Sequence, residues 1–442
     1  MVYLFYQADN LSLDVAVTGD SLITRRLAPY TEPDFLGLRD LIKKADIAFT
    51  NLEVVLGEVP DYPAEHCGGN WLGVPAYLAD ELAWMGFNLF STANNHAADF
   101  GAGGVLATMK EMALRQLVHA GIGETLSEAR RPAYLETPAA RVALVAACST
   151  LPPGHAAGEQ RQDVQGRPGV NPLRFDVSFG LSPATFALLD RIAEESQIKA
   201  MRADRIKHGY DKQDSENEYR LLEHRFVATD EPGISTKPRQ KDMQDILRWV
   251  KDAKRQADFC FVSLHAHEPN IEITRPAQFI ETFSRACIDC GADGVFGHGP
   301  HVLRGIEIYK AKPIIYSLGN FIMQSSTMQR LPVAMYERYD VDPFSGTPAD
   351  IFDNRLQKEL IRQNRIYYES CVVRLRYKQG ELHTAVLHPI HLGLTSARPS
   401  QGRPLLARGE MADRILSDVV SLSEIYGTKF EVESGLARVV LD

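Results

Sequence analysis

The segment from residue 291 to residue 322 constrains the fold of this chain most strongly. It holds two short apolar runs, at residues 294–296 and 314–318, and a glycine follows each run. The turn after the first run carries His298 and His301. Glycine lets the backbone approach a bound group closely, and histidine is a common metal ligand. The segment therefore predicts two strands, the first of which presents imidazoles to a metal ion.

Other apolar runs end in polar residues in the same way. They are predicted strands at residues 13–18, 47–50, 88–92 and 260–264. The candidate site residues that follow them are Asp20, Glu53, Asn95, His96, His265 and His267. Ligands collect outside the carboxyl ends of strands in open α/β sheets, so these strand ends together predict one site. Taken singly, Asp20 is also compatible with a helix cap and Asn95 with a turn.

Composition excludes some classes of function. The chain has 442 residues, 45% of them hydrophobic, which is enough for two or three domains or one elaborated domain. Its net charge is −9 and it has no long basic run, which predicts no nucleic-acid partner. The first residues do not resemble a signal peptide and no run of about 18 apolar residues occurs. We therefore expect a cytoplasmic chain without stable membrane insertion, and the sequence carries no signal for its oligomeric state.

The order of the predicted elements suggests one decorated α/β unit. Strand and helix patterns alternate over residues 10–325, which predicts an α/β core with a largely parallel sheet. Within it, the charge-dense segment at about 201–242 is predicted to form an inserted helical arm. A second insertion is predicted at residues 326–360. A β-hairpin, a helix and a short strand are then predicted in a C-terminal part, residues 361–442, that packs on the core.

A loop rich in proline and glycine at residues 152–174 is long for a simple connection. It is predicted to form a lid over the site. Its arginines Arg161, Arg167 and Arg174 are predicted to hold a substrate carboxylate by forked hydrogen bonds. The alternative is a structural crossover.

Several motifs, in consistent order from about residue 13 to 325, carry a resemblance to a known family. They are Thr18-Gly19-Asp20, Thr50-Asn51-Leu52-Glu53, Ala93-Asn94-Asn95-His96 with Asp99-Phe100-Gly101, Gly297-His298-Gly299-Pro300-His301-Val302 and Tyr316-Ser317-Leu318-Gly319-Asn320-Phe321. Through them the chain resembles the CapA/PgsA capsule-synthesis proteins of poly-γ-glutamate production, within the calcineurin-like metallophosphatase superfamily. The resemblance implies a layered α-β-β-α sandwich with helical and loop insertions and a metal site at the strand ends.

The resemblance also implies a ligand set. The positions that match metal ligands of the superfamily are Asp20, Glu53, Asn95, His265, His298 and His301. Two positions depart from the pattern, because a second histidine of the superfamily is Leu22 here and its bridging Asp is Glu53. Both departures weaken the two-metal clamp on which phosphoryl transfer relies. Oxygen and imidazole ligands without cysteine suit Mn, Zn, Fe or Ca.

Two reactions are compatible with such a site. One is proton abstraction beside a carbonyl, with Asp20 and His298 as base and acid, which needs one cation and no clamp. The other is hydrolysis of a phosphoester. His96 is predicted either to act as an acid or to hold Asp99. His267 is predicted to bind substrate or to orient the neighbouring ligand, and the alternative is a solvent-facing loop.

Soluble relatives of the family include the epimerases of lasso-peptide pathways, which invert a backbone Cα. The resemblance therefore implies a metal-dependent enzyme that uses acid/base chemistry on a peptide or polyglutamate-type amide, with Cα epimerisation as one form of that chemistry. A metallophosphoesterase is the first alternative. A non-catalytic protein that binds an anionic polymer during capsule synthesis is the second.

Overall fold

Two β-sheets packed face to face form the centre of the computed structural model. The structure describes residues 11–58, 62–215, 217–358 and 364–441. Helices cover the outer face of each sheet, so the layers run helix, sheet, sheet, helix. This arrangement confirms the predicted α/β fold with a layered sandwich. No helix within these residues is long and apolar enough to cross a bilayer.

The first sheet carries the strand that ends at Asp20. Its parallel half begins with Ser12–Leu22 and continues through neighbouring strands in the order Ile47–Leu52, Leu89–Ser91 and Val118–Ala120. Asn320–Met323 pairs in parallel with the end of Ser12–Leu22. On the other side the strands are antiparallel and follow the order Glu369–Lys378, Glu381–His391, Leu436–Val439 and Phe430–Glu433, with Leu405–Leu406 beside Glu381–His391.

The second sheet carries the strands that end at His265 and His298. Its order is Ile306–Tyr309, Lys312–Ile315, Gly294–His298, Phe259–His265, Arg141–Cys148 and Ala133–Glu136. The four central strands are parallel, and the two edge strands are antiparallel to their neighbours. The sheets are therefore mixed, with parallel strands at the centre where the site forms.

Alternation along the strands builds the core. In the first strand Val15 and Val17 face the second sheet, whereas Ala16 faces the outer helices. Phe49 of the first sheet meets Phe296 of the second, with ring centroids 5.2 Å apart. Such aromatic pairs contribute about 0.5–1.5 kcal/mol beyond the area that they bury. The contact fixes the two sheets against each other directly beneath the strand ends.

Helices with one apolar face cover the sheets. Pro33–Lys43 and Tyr77–Met85 pack on the first sheet. Gln240–Gln256 and Gln278–Asp289 pack on the second. The remaining helical segments are Gly101–Leu114, Leu126–Arg130, Pro183–Glu195, Ile198–Lys207, Val333–Arg338, Pro348–Lys358 and Gly409–Ser423, with short 3₁₀ turns at Ser325–Thr327, Arg365–Tyr367 and Glu424–Tyr426.

Short strands pair outside the central sheets. Val55–Leu56 pairs with Gly73–Val74, and Ile122–Gly123 pairs with Gly169–Val170. Pro269–Asn270 pairs with Glu272–Pro276. These pairs lie in the connections that follow strands of the two central sheets, and they hold those connections in place.

The insertion within the core differs from the predicted helical arm at 201–242. In the described residues it spans 175–238 and folds as a small sheet with the strand order Glu218–Leu221, His224–Ala228, Phe175–Leu181 and Gly233–Pro238. The helices Pro183–Glu195 and Ile198–Lys207 belong to the same insertion. The charged composition of the segment obscures its strands, because they are only half buried and alternate weakly.

The segment after the core adds helices outside the sandwich and strands to its first sheet. Residues 326–358 carry two helices, and the hairpin Glu369–Lys378 and Glu381–His391 extends the first sheet. The helix Gly409–Ser423 and the strand Leu436–Val439 follow. This helix buries apolar residues in the core between the sheets, so the C-terminal part packs on the core.

Candidate metal centre

Asp20 lies at the end of its strand, where the backbone departs from regular pairing. The register with Ile47–Leu52 shifts between Val17 and Asp20. A Cβ atom on Gly19 would lie 1.9 Å from the carbonyl oxygen of Gly319, so only glycine permits this close approach of the two chain segments. The irregularity places Asp20 beside Asn51 in the neighbouring strand.

The carboxylate of Asp20 is fully buried and held from two sides. Asn51 donates a hydrogen bond from Nδ2 to Oδ1 at 2.8 Å, and Gly299 donates its backbone N–H to Oδ2 at 3.0 Å. Burial alone would raise the pKa of Asp20, but the hydrogen bond and charge of His301 and the nearby His298 lower that pKa below its usual value. Asp20 is therefore a fixed carboxylate.

Asp20, His265 and His298 form what we term the first ligand group. His265 and His298 face each other across adjacent parallel strands. Their Nδ1 atoms are 2.9 Å apart, and these atoms lie 3.8 Å and 3.6 Å from Asp20 Oδ1. Tetrahedral coordination with bonds of ~2.1 Å has ligand-to-ligand distances of ~3.4 Å. The three atoms are therefore spaced as ligands of one ion.

Glu53, His267 and His301 form the second ligand group. Glu53 Oε1 lies 3.9 Å from His301 Nε2. His267 Nε2 lies 2.9 Å from Nε2 of His265, a member of the first ligand group. His301 Nδ1 is 2.8 Å from the side-chain oxygen of Asn320. This contact fixes the ring and leaves Nε2 for the group.

Residues at this centre fit a divalent cation. Glu53 is fully buried, yet neither of its carboxylate oxygens accepts a hydrogen bond from the described residues. Burial, and then the charges of Asp20 and Asp99, raise the pKa of Glu53 well above its usual value. The side-chain oxygen of Asn95 is also buried and accepts no hydrogen bond from the described residues. Buried acceptors are costly unless they are satisfied, and a cation would satisfy them.

The imidazoles of His265, His267 and His298 carry no positive charge of their own that would repel a cation. Burial, and then the neighbouring histidines, lower the pKa values of His265 and His267 well below the ordinary value. Burial lowers the pKa of His298 to about 4, although Asp20 opposes that shift. These rings are therefore neutral at neutral pH, which is the form that binds metals.

His96 lies next to the ligand groups and has a partner of its own. Its Nδ1 is 2.7 Å from Oδ2 of Asp99, and both residues are buried. The same Asp99 oxygen accepts the backbone N–H of Leu72 at 2.8 Å. Asp99 thus fixes the ring and directs Nε2 away from itself. An imidazole whose orientation a carboxylate holds in this way can act as a proton donor.

A buried arginine positions the loop that carries His267. Arg304 is fully buried and donates hydrogen bonds to the carbonyl oxygens of Ala266 at 3.3 Å, His267 at 3.0 Å and Glu268 at 3.2 Å. Burial lowers its pKa to about 10, so it stays charged at neutral pH. The guanidinium therefore holds three consecutive carbonyl groups of the loop.

Replacement of Arg304 with Met is expected to lower the free energy of unfolding by about 3 kcal/mol, because the carbonyl groups of Ala266, His267 and Glu268 lose their hydrogen-bond donor. Metal content should also fall, since His267 loses its support. Urea denaturation and elemental analysis would measure both effects. Arg248→Met is the matched control, since that side chain is 73% exposed. A stability equal to that of the control would contradict the role of Arg304.

The predicted substrate-binding arginines lie elsewhere. Arg161 pairs with Asp163 at 2.9 Å, and Arg167 donates to the carbonyl oxygen of Ala156 at 2.8 Å. Arg174 pairs with the buried Asp242 at 2.7 Å. The partners of Arg161 and Arg167 are in the loop itself, and the partner of Arg174 is on the helix Gln240–Gln256, so the contacts of these arginines lie outside the ligand groups.

Other residues of the centre carry roles that the sequence patterns do not predict. His267 is predicted to bind substrate or to orient a ligand, whereas its ring belongs to the second ligand group. Asn51 holds Asp20, and Arg304 holds the loop. Because side chains at i and i+2 share a face of an extended chain, the His265-Ala266-His267 spacing is a signal that could have revealed His267.

The protein is a layered sandwich in which carboxylates and imidazoles converge at the strand ends. This combination defines a metallophosphatase-like protein. Residues 14–325 match the family model described as "Bacterial capsule synthesis protein PGA_cap", and the chain belongs to this family. This confirms the family suggested by the motifs.

Individual proteins are also similar to this chain, and one of them matches nearly its whole length. The "Uncharacterized protein y4sH" of Sinorhizobium fredii is 33% identical over 96% of this chain and 93% of its own length. The "PGA biosynthesis protein CapA" of Bacillus subtilis is 24% identical over 63% of this chain and 57% of its own length. A solved structure of a hypothetical protein from Thermus thermophilus covers 85% of this chain and 98% of its own, at 14% identity and a TM-score of 0.35.

Proposed function

We propose that this protein is a metal-dependent enzyme that uses acid/base chemistry on a peptide or polyglutamate-type amide. One observation carries the proposal: the buried carboxylate of Glu53 accepts no hydrogen bond from the described residues and lies 3.8 Å from Nε2 of His265, whose ring is neutral at neutral pH. A protein that lacked a cation would keep a costly, unsatisfied acid at this position.

Both ligand groups are suited to hold the cation. Asp20, His265 and His298 offer one oxygen and two nitrogens, and the second ligand group offers the same set. Because two of the three ligand atoms in each group are nitrogens, these groups favour Mn, Zn or Fe over Ca, which prefers oxygen ligands. When bound, a divalent cation supplies Lewis-acid chemistry that polarises a carbonyl oxygen and stabilises the negative charge of an enolate.

His96 is the residue best placed to move a proton. It lines a cavity at the centre, and its Nδ1 is held by Asp99. The other two candidates for proton transfer, Asp20 and His298, already have partners at both of their polar side-chain atoms. Both oxygens of Asp20 accept hydrogen bonds, and His298 has Ser263 Oγ at 2.6 Å from Nε2 and His265 at its other nitrogen. We therefore assign cation binding to Asp20 and His298, and we assign proton transfer to Nε2 of His96.

The names of relatives support the class of substrate. The matched Bacillus subtilis protein is named for PGA biosynthesis. A Mycobacterium tuberculosis protein that is 36% identical over 96 residues is named a probable polyglutamine synthesis accessory protein. The second name concerns a polymer of amide-linked residues. In an α-linked residue of such a chain the Cα–H lies next to an amide carbonyl, and this is the group on which the proposed chemistry would act.

Incubation with glutamate-containing peptides in deuterated water is expected to introduce deuterium at Cα, with or without inversion and without cleavage of a bond. Mass spectrometry and chiral analysis would detect the label, and activity should disappear on chelation and return with added metal. Protein purified without chelators that holds no metal, and that leaves every peptide unlabelled, would refute the proposal in favour of the non-catalytic alternative.

Hydrolysis of a phosphoester is the second candidate. The two adjacent ligand groups favour it, because phosphoesterases commonly use a pair of cations to hold the attacking and leaving oxygens. His267 adds an imidazole to the second ligand group, whereas Leu22 offers no ligand atom. Turnover of an aryl phosphate without Cα labelling would favour this function.

A further inference from the structure

An irregular segment, residues 64–72, lies over His96, and we term it the cover segment. A Cβ atom on Gly68 would lie 2.4 Å from Nδ2 of Asn95 and 2.9 Å from Nε2 of His96. The segment therefore packs directly on the atom to which proton transfer is assigned, and only glycine permits this approach. Gly68 also lines a cavity of about 140 Å³ together with His96 and His301. The cover segment thus forms a wall of the centre at Nε2 of His96.

Both ends of the cover segment are attached to Asp99, the residue that orients His96. The backbone carbonyl of Asp99 accepts the N–H of Ala64 at 2.8 Å, and its Oδ2 accepts the N–H of Leu72 at 2.8 Å. Between these ends, residues 65–70 take part in no backbone–backbone hydrogen bond with any other residue that the structure describes. The middle of the segment therefore depends on side chains for its position.

His155 reaches the middle of the cover segment from another part of the chain. Its side chain is only 2% exposed, and its Nε2 lies 2.8 Å from the carbonyl oxygen of His66. A carbonyl oxygen only accepts hydrogen bonds, so Nε2 carries the proton and donates it. His155 belongs to the loop at residues 152–174, and its own carbonyl accepts the N–H of Val170 at 3.0 Å. A fixed part of that loop thus holds the cover segment.

We propose that His155 is a positioning residue that holds the cover segment against Nε2 of His96. The inference rests on the proposed function for the role of His96, whereas the contact with His66 is a property of the fold. A closed segment keeps water from Nε2, so the proton passes between His96 and the substrate and not to solvent. In this assignment the loop at residues 152–174 serves the centre through His155 and not through its arginines.

Alkylation of Cys67 by iodoacetamide would measure how often the cover segment opens. Burial raises the pKa of this half-buried thiol, and the thiolate is the reactive form, so the closed segment reacts slowly. His155→Met removes the hydrogen-bond donor, and His155→Gln has a side chain of similar length that keeps one. We expect Cys67 to react about five-fold faster in His155→Met than in wild type, the scale of one lost hydrogen bond. His155→Gln should stay near the wild-type rate.

Other thiols of the chain supply internal controls. Cys290 is also half-buried but lies at the end of the helix Gln278–Asp289, so it should react at one rate in every variant. His383→Met replaces an exposed histidine and should leave the rate at Cys67 unchanged. Peptide mapping by mass spectrometry would separate the sites. Reaction of the buried thiols would report unfolding, and these are Cys148, Cys260, Cys287 and Cys371.

Two results would overturn the proposal. One is equal alkylation of Cys67 in wild type and His155→Met. The other is an equal acceleration in the Met and Gln variants, because the hydrogen bond would then not be what holds the segment. If His155→Met exposes the buried thiols, Gly169→Ala provides a second variant. A Cβ atom there would lie 2.6 Å from the carbonyl oxygen of His155, so it displaces His155 without replacing it. Unchanged alkylation of Cys67 in Gly169→Ala would likewise contradict the proposal.

The alkylation test is independent of the chemistry. For the same variants, deuteration of peptides should slow in His155→Met and recover in His155→Gln, with metal content unchanged in both. If His155→Met opens the segment but no protein, wild type included, introduces deuterium, the proposed reaction fails and the hold on the segment stands. If wild type and His155→Met introduce deuterium at the same rate although Cys67 reacts faster in the variant, the reaction stands and the positioning role fails.

Discussion

Replacement of His265 with Ala is expected to remove most of the bound metal and, with it, the activity. His265 is fully buried, and its two ring nitrogens lie 2.9 Å from nitrogens of His298 and His267, which belong to different ligand groups. Loss of this ring therefore disrupts both groups. Removal of a group that only orients a ligand already lowers metal affinity about 10–100-fold, so the effect of losing His265 should exceed 100-fold.

Elemental analysis and titration of the apoprotein with Mn²⁺ or Zn²⁺ would measure this loss. His383→Ala is the matched control, since His383 is exposed on the strand Glu381–His391. Circular dichroism should show that the variant remains folded but melts at a lower temperature, because metal stabilises the native state that binds it. Metal content equal to that of wild type in His265→Ala would contradict the assignment of both ligand groups.

The strand ends could be predicted from the sequence because their signals are local. A short apolar run that stops at a polar residue marks the end of a buried strand, and parallel strands place such ends at one edge. The structure accordingly brings Asp20, Glu53, His265, His298 and His301 together. Their roles as metal ligands are still a proposal, which the His265 variant tests.

The residues around the ligand groups could not be predicted in the same way. The length of one loop favours Arg161, Arg167 and Arg174, but each of them contacts a residue outside the ligand groups. Arg338 and Arg355 line a cavity together with His96 and His301, but they come from a separate insertion and meet the centre only through tertiary packing. The sequence shows that arginines are present, but not which of them the fold brings to the centre.

The inserted sheet illustrates another limit of local patterns. Phe175–Leu181 pairs in parallel with His224–Ala228, and roughly forty residues separate the two strands along the chain. The charged helices between them dominate the composition of the segment. Pairing between distant strands depends on packing that no short window of sequence contains, so the local pattern predicts a helical arm where a sheet forms.

Replacement of His96 with Gln is expected to slow the reaction about 10²–10⁴-fold while metal content stays at the wild-type value, because general acid–base groups contribute on this scale. Asp99 holds Nδ1 of His96 at 2.7 Å, so Asp99→Asn should also slow the reaction by allowing the wrong tautomer. His298→Asn should behave differently and lose metal, since His298 belongs to the first ligand group. Rates of Cα deuteration, measured beside metal content for all three variants, would separate proton transfer from cation binding. If His96→Gln lost metal to the same extent as His298→Asn, His96 would be a ligand and the proton would have to move through another residue.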